Sequence, residues 1–396
     1  MSILIRKHHG VREFTGIGKL SLVGFISALA NSFVITIWAV YLNSFINDTA
    51  KVGLISAFLT LVAVASYFIF IPFIEKSSKT KIYSFSLIIF GISYLLFAFI
   101  KSFALFMAVA IIINLTYALR ITSFGLIIKD KSGKKRLPRN EGIIYTFANI
   151  AFIIGPLIAG YISSKSGNPM IFIITSILIF LTLIIFNFSN IKDDHELKKT
   201  HKNLFLNAFK FLKNKDRSIA YIIGSGPSFW WALIYLFIPL YIINNGLDKL
   251  WIGYFLFAVP IPLIFLEYKI SNKVNKTGFR KLFTFGFLIA SISALICFFL
   301  GNIYIILGVL ILASIGLAML EPTTEAYFFF VSNKKDEQRF YGPYNTRIEL
   351  GGLAGKFIPG IILLFLPFKY IFIVFSAIMF LFFLISLISK NKAEKS

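Results

Sequence analysis

The sequence predicts an all-α membrane protein with twelve transmembrane helices in two pseudo-symmetric six-helix bundles. Three observations predict it. First, 58% of the 396 residues are hydrophobic and only 14% charged, where a soluble domain carries about 25% charged residues. Mean hydropathy is +0.82, and no soluble globule of this length has a core that hides so much apolar surface. Second, the apolar residues fall into twelve runs of spanning length. Third, the second half echoes the first at a constant offset of 200 positions.

The runs are 20–45, 52–74, 83–100, 103–128, 143–163, 170–189, 218–243, 251–272, 283–300, 303–330, 342–367 and 370–389. A spanning helix needs about 20 mostly apolar residues. Barrel strands would alternate over about 10 residues, and these runs do not, so the spans are helices.

The net charge of +23 would, taken alone, point to nucleic acid. Its distribution points to the bilayer. With the N-terminus inside, thirty-two of the 40 Lys+Arg lie in cytoplasmic segments, densest in the loop KDKSGKKRLPR (129–139) and the central loop. Five lie outside: Lys51, Lys101, Lys165, Lys249 and Lys369. That is a positive-inside pattern. It sets both termini in the cytoplasm of a multi-pass plasma-membrane protein and leaves no nucleic-acid partner. The single cysteine, Cys297, excludes a disulfide framework and a Cys-based metal site, and no histidine lies in a span.

The longest polar interruption divides the chain into an N-terminal bundle (1–190), a linker (191–217) and a C-terminal bundle (218–396). In the linker Phe205, Ala208, Phe209 and Leu212 recur at helical spacing between lysines. The pattern suits a helix lying on the inner membrane surface, with a solvated linker as the alternative.

The offset of 200 superimposes special residues without a gap. Tyr41 meets Tyr241, Gly53 meets Gly253 and Lys76 meets Lys276. Arg139 and Gly142 meet Arg339 and Gly342; Gly155 and Gly160 meet Gly355 and Gly360. With only 26 glycines, so many matches in register imply duplication of a six-span unit.

Over about 18–389 the sequence resembles the major facilitator superfamily. In that family the loop after span two reads G-x-x-x-D-R-x-G-R-R. FIEKSSKTK keeps Glu75 and Lys76 with Lys79 and Lys81, and lacks the glycines; SNKVNKTGFRK keeps Lys276, Gly278 and Arg280 and has Asn275 for the acid. Gly155, Pro156 and Gly160 in span five resemble the G-P-x-x-G-G signature of proton-exchanging exporters, with Ala151 in place of an upstream glycine. A Gly-Pro pair bends a helix, and small residues admit a close neighbour. The pair RNEG and RFYG resembles the family's Arg-Gly turn before spans five and eleven. The resemblance implies the two-bundle fold, alternating access, and a cavity lined by spans one, four, seven and ten.

Ionisable side chains at a helix centre in lipid cost at least about 2.5–3.5 kcal/mol each, so they are candidate functional groups. They are Arg120, Glu267, Glu321, Glu325, Arg347, Glu349 and Lys356. Lys356 lies roughly 20 Å in from the inner surface and Glu349 about 10 Å in, at 1.5 Å per residue. Arg120 aligns with Leu320, next to Glu321. By the resemblance, Arg120 and Glu321 face each other across the cavity as a salt bridge; a structural pairing between helices is the alternative. Glu321 or Glu349 is the candidate proton carrier. Asn31, Asn114 and Asn149, with Trp38, Trp231, Trp230 and Tyr235, complete the candidate path near mid-depth. GSGPSF (224–229) marks span seven as breakable and a gate.

These readings lead to a secondary transporter that needs no cofactor or metal and is not an enzyme. Its expected partners are a small-molecule substrate, protons or another coupling ion, and membrane lipid. Proton-coupled export of an amphipathic or drug-like molecule or metabolite is the first reading. Uptake of a sugar or organic anion, or a non-transporting sensor on the same scaffold, are the alternatives. No Walker loop encodes direct ATP use.

Overall fold

The computed structural model describes residues 2–75, 77–189, 191, 204–271, 274–333 and 336–391. Among them there is no strand. The helices are α1 (Ser2–Ile46), α2 (Thr49–Glu75), α3 (Lys79–Phe97), α4 (Phe103–Phe188), α5 (Leu204–Leu212), α6 (Lys215–Ala232), α7 (Ile238–Asn244), α8 (Lys249–Ala258), α9 (Pro260–Ser271), α10 (Val274–Thr277), α11 (Phe279–Phe299), α12 (Ile303–Val331), α13 (Glu337–Ile362) and α14 (Tyr370–Leu387). Ten helical stretches among the described residues are long and apolar enough to cross a membrane.

Two further crossings account for the expected twelve. Residues 139–188 form one stretch of 50 residues, about 75 Å of helix against a hydrocarbon core of about 30 Å. Within it Gly167 has φ +79°, a left-handed conformation that glycine adopts without steric cost and that ends a right-handed run. The other crossing is α13, whose Arg347, Glu349 and Lys356 keep it from counting as apolar.

Several boundaries differ from expectation. The basic loop 129–139 is helical and continuous with α4. Hydropathy locates where a chain leaves lipid, but Lys, Arg and Leu are good helix formers and hold the helix beyond that point. For the same reason α1 begins at Ser2, well before the apolar run. Gly142 and Gly342 lie inside α4 and α13, not in turns. The expected break at GSGPSF is absent: α6 passes through Pro227 to Ala232. The irregularity comes one turn later, as a π turn at Leu233–Phe237. Pro239 follows it; proline has no N–H and crowds the carbonyl four residues back, and a wider turn relieves that clash.

The chain divides into two compact units: Met1–Phe45, Leu61–Thr200 and Asp248–Tyr254; and Ile46–Thr60, His201–Leu247 and Phe255–Ser396. Positions related by the offset of 200 meet in both, with donor and acceptor exchanged in the hydrogen-bonded pair. In the first, the Ser176 hydroxyl donates to the Gly91 carbonyl at 2.8 Å; in the second, the Ser291 hydroxyl donates to the Ser376 carbonyl at 2.9 Å. A Cβ on Gly155 would lie 2.8 Å from the Cβ of Ser32, and one on Gly355 would lie 2.7 Å from that of Ala232. The helix starts recur as well: Thr49 and Lys249, Lys79 and Phe279, Phe103 and Ile303. All these pairs keep the offset of 200.

The linker helix exists as α5. Phe209 and Leu212 are exposed, while Asn207 and Phe211 are buried. Phe211 packs on Tyr221, Phe328, Phe340 and Tyr344, and Asn207 accepts from Arg339 Nε at 2.7 Å. An apolar pattern cannot tell which of two neighbouring phenylalanines meets protein; the aromatic socket and the Arg339 donor decide it.

Candidate functional site

In the first unit, α1, α3 and α4 position Arg120. It is 4% exposed, its guanidinium stands 4.3 Å above the Phe90 ring, and Nη1 lies 3.4 Å from the Ser27 hydroxyl. Its Nε has no hydrogen-bond partner among the described residues. A cation over an aromatic face is stabilised by the ring quadrupole, but an orphaned buried N–H costs about 1–3 kcal/mol. Asn31 is half-buried, and Asn149 is exposed. Asn114 Nδ2 bonds back to the Ala110 carbonyl at 2.8 Å. Trp38 packs on Phe97 and Phe106 in an aromatic cluster with Tyr41.

The motif glycines of span five have a direct structural reason. Gly155 faces Ser32 of α1 at a distance that excludes a side chain. A Cβ on Gly160 would stand 2.8 Å from Gly253 Cα, and one on Gly253 would stand 2.6 Å from the Pro156 carbonyl oxygen. Helices α4 and α8 thus touch backbone to backbone. In the second unit a Cβ on Gly53 would lie 3.1 Å from Gly360 Cα, the repeat-related contact. Nearby chemistry of the first unit is structural: Lys79 pairs with Asp130. Lys76 lies outside the described residues, as do the side chains of Glu75 and Lys276.

The second unit gathers more of the expected residues. The Trp231 indole N–H donates to a Glu321 carboxylate oxygen, and Trp231 stacks on Tyr235 with centroids 5.1 Å apart and planes at 22°. Glu267 is close enough to interact electrostatically with Glu321. No cation among the described residues lies within 4.0 Å of the Glu321 carboxylate. Lys356 donates to the Thr60 hydroxyl at 2.7 Å. Glu349, on the same face of α13, acts on it electrostatically without closing an ion pair. Glu325 accepts from the Tyr341 hydroxyl. Buried Arg347 lies 3.8 Å over the Tyr344 ring and donates to Asn345 at 2.8 Å, a packing role.

The second motif copy holds the end of the chain. Gly278 has φ +81° and abuts Asn391. Arg280 Nε donates to the Ser389 carbonyl at 2.7 Å, and Lys390 pairs with Asp216 at 2.8 Å. Sequence reasoning missed Thr60 and Ser27, lone hydroxyls in apolar runs with nothing in their spacing to single them out.

Comparison with known proteins bears on the whole chain. The family model described as Major Facilitator Superfamily matches residues 20–278 and 261–396. The chain is 22% identical to a class H tetracycline resistance protein of Pasteurella multocida over 353 residues, 85% of this chain and 86% of that protein. It is 25% identical to a staphylopine export protein of Staphylococcus aureus over 265 residues, 64% of this chain and 66% of that one. The crystal structure of the nucleoside transporter NupG superimposes with a TM-score of 0.75 at 14% identity, covering 95% of this chain and 100% of that one; the likeness is one of fold. The chain is therefore a multi-pass membrane protein that belongs to the Major Facilitator Superfamily.

Proposed function

We propose that the protein is a secondary active transporter of the plasma membrane that exports a small amphipathic molecule in exchange for protons. Its bundles, 1–190 and 218–396 joined by 191–217, rock about a central site with both termini in the cytoplasm. The observation that carries this reading is Glu321: an acid within span ten, held by the Trp231 N–H, with no cation among the described residues within 4.0 Å of it. A carboxylate so placed is a natural carrier of a proton, since desolvation favours its neutral form. Aromatic Trp231 and Tyr235 beside it suit an amphipathic substrate. The names of the tetracycline resistance and staphylopine export relatives favour export over uptake.

The test is flux in proteoliposomes, with a panel of fluorescent amphipathic compounds and an internal pH dye. Glu321→Gln is expected to abolish proton-driven flux while leaving substrate counterflow. Proton-driven flux unchanged in that variant removes Glu321 as the proton site.

A further inference from the structure

In the first unit a cavity of about 500 Å³ lies between the start of α3 and the end of α4. Its lining changes character along α3. Lys81 and Ser84 come first, and Phe85 and Ile88 follow on the same stripe of the helix. From Lys81 to Ile88 is about 10 Å along the axis. On the α4 side, Asn187 Oδ1 accepts from the Ser84 hydroxyl at 2.9 Å, which leaves the two hydrogens of its amide nitrogen as donors. Phe186 forms a buried floor, while Phe85 and Ile88 are exposed, as the outward side chains of a membrane-spanning helix are. Lys81 is exposed too, and no carboxylate among the described residues lies within 4.0 Å of its ammonium. Lys79, two residues earlier, is already paired with Asp130.

The repeat shows what ties such a rim shut. At the offset of 200, Thr80 meets Arg280, Lys81 meets Lys281, Ser84 meets Thr284 and Asn187 meets Leu387. In the second unit Arg280 Nε donates to the Ser389 carbonyl at 2.7 Å, and the Thr284 hydroxyl lies 3.1 Å from that of Ser386. A long side chain there joins α11 to the residues that follow α14. Thr80 is too short for that tie, and an amide stands where the second unit has a leucine. The first unit therefore keeps the lysine at its rim with a polar cavity beside it.

We propose that this cavity is a binding site for an anionic phospholipid, with its phosphodiester on Lys81 and Asn187 and an acyl chain along Phe85 and Ile88. The order of the lining is the order of groups in a lipid, charge at the rim and hydrocarbon deeper in the span. The phosphodiester accepts charge-assisted hydrogen bonds from the ammonium. A zwitterionic headgroup brings its own cation to the lysine, and the repulsion offsets part of that gain. A free phosphate leaves Phe85 and Ile88 uncovered and forgoes the apolar contact.

The probes are dioctanoyl phosphatidylglycerol, dioctanoyl phosphatidylcholine and glycerol 3-phosphate, added at constant ionic strength to protein purified in a neutral detergent. Affinities follow from the dependence of unfolding temperature on probe concentration. The anionic lipid is expected to bind about fivefold more tightly than the zwitterionic one, the effect of one lysine at a membrane surface. Glycerol 3-phosphate should not stabilise the protein at the same concentrations. Lys81→Gln should remove the preference for the anionic lipid, and Lys81→Arg should keep it. Lys281→Gln takes the same charge from the rim that Arg280 ties shut and should leave the preference unchanged. Equal affinity for the two lipids, or a preference that survives Lys81→Gln, overturns the site. So does a Lys281→Gln variant that loses as much as Lys81→Gln, which makes the effect one of overall charge. Glycerol 3-phosphate acting as strongly as the anionic lipid overturns the lipid as occupant.

Discussion

Trp231, in the last turn of α6, donates its indole N–H to Glu321 of α12 and stacks on Tyr235. The bond fixes a carboxylate within the second unit at the level where Gly355 seats α13 against α6. Arg120 of the first unit is 4% exposed, lies over the Phe90 ring and donates to the Ser27 hydroxyl.

If Arg120 and Glu321 alternate as partners during transport, reversing both charges should restore what each reversal destroys. Arg120→Glu and Glu321→Arg are each expected to abolish flux. The double variant should recover at least a tenth of wild-type counterflow. A double variant no better than the single ones gives the two residues separate roles.

The glycine contacts should be intolerant of side chains. Gly253→Leu forces α8 away from Gly160 and the Pro156 carbonyl, and overpacking of this kind costs about 1–3 kcal/mol. Gly142 and Gly342 make the contrast, since a Cβ on either meets nothing within 4 Å. Alanine at either should leave stability unchanged or raise it by up to about 1 kcal/mol. Thermal unfolding of the three variants in detergent checks both halves of this expectation.

Phe211 anchors α5. Its side chain is fully buried among four aromatic rings. Phe211→Ala should cost about 3–5 kcal/mol of docking and expose 204–212 to protease. Phe209→Ala, at a position 69% exposed, should leave proteolysis unchanged.

Asp248 precedes α8 and accepts from the Leu250 N–H at 2.8 Å. Hydrogen bonds from Ser164 and from the Leu250 backbone hold its carboxyl below the ordinary range. A depressed carboxyl contributes stability above its unfolded-state pKa and loses it as pH falls through the native value. Asp248 is exposed, so solvent screens its charge, and Asp248→Ala should lower stability at pH 7 by less than the roughly 1 kcal/mol of a typical helix cap. The gap to wild type should close as pH falls below about 4. Melting curves across that interval decide it.

The spans and their duplication were legible because both rest on properties each residue carries alone. Apolar runs mark lipid, and glycines in register mark copied backbone contacts, as at Gly155 and Gly355. Glu321 stood out because a carboxylate in lipid is costly wherever it sits. Partners were less legible. Nothing in an apolar run distinguishes Thr60, whose hydroxyl matters only because α13 brings Lys356 to it. The π turn at Leu233–Phe237 follows from Pro239, whereas Pro227 is absorbed without a break. The difference lies in the surrounding helices, which spacing does not record.

The socket of α5 also sets a timetable for biosynthesis. Phe340 and Tyr344 leave the ribosome more than a hundred residues after Phe211, an interval of roughly 5–25 s at ordinary elongation rates. Until then the aromatic anchor has at most Tyr221 and Phe328 of its four rings. The nascent chain therefore carries α5 with its socket incomplete until most of the second half has been made.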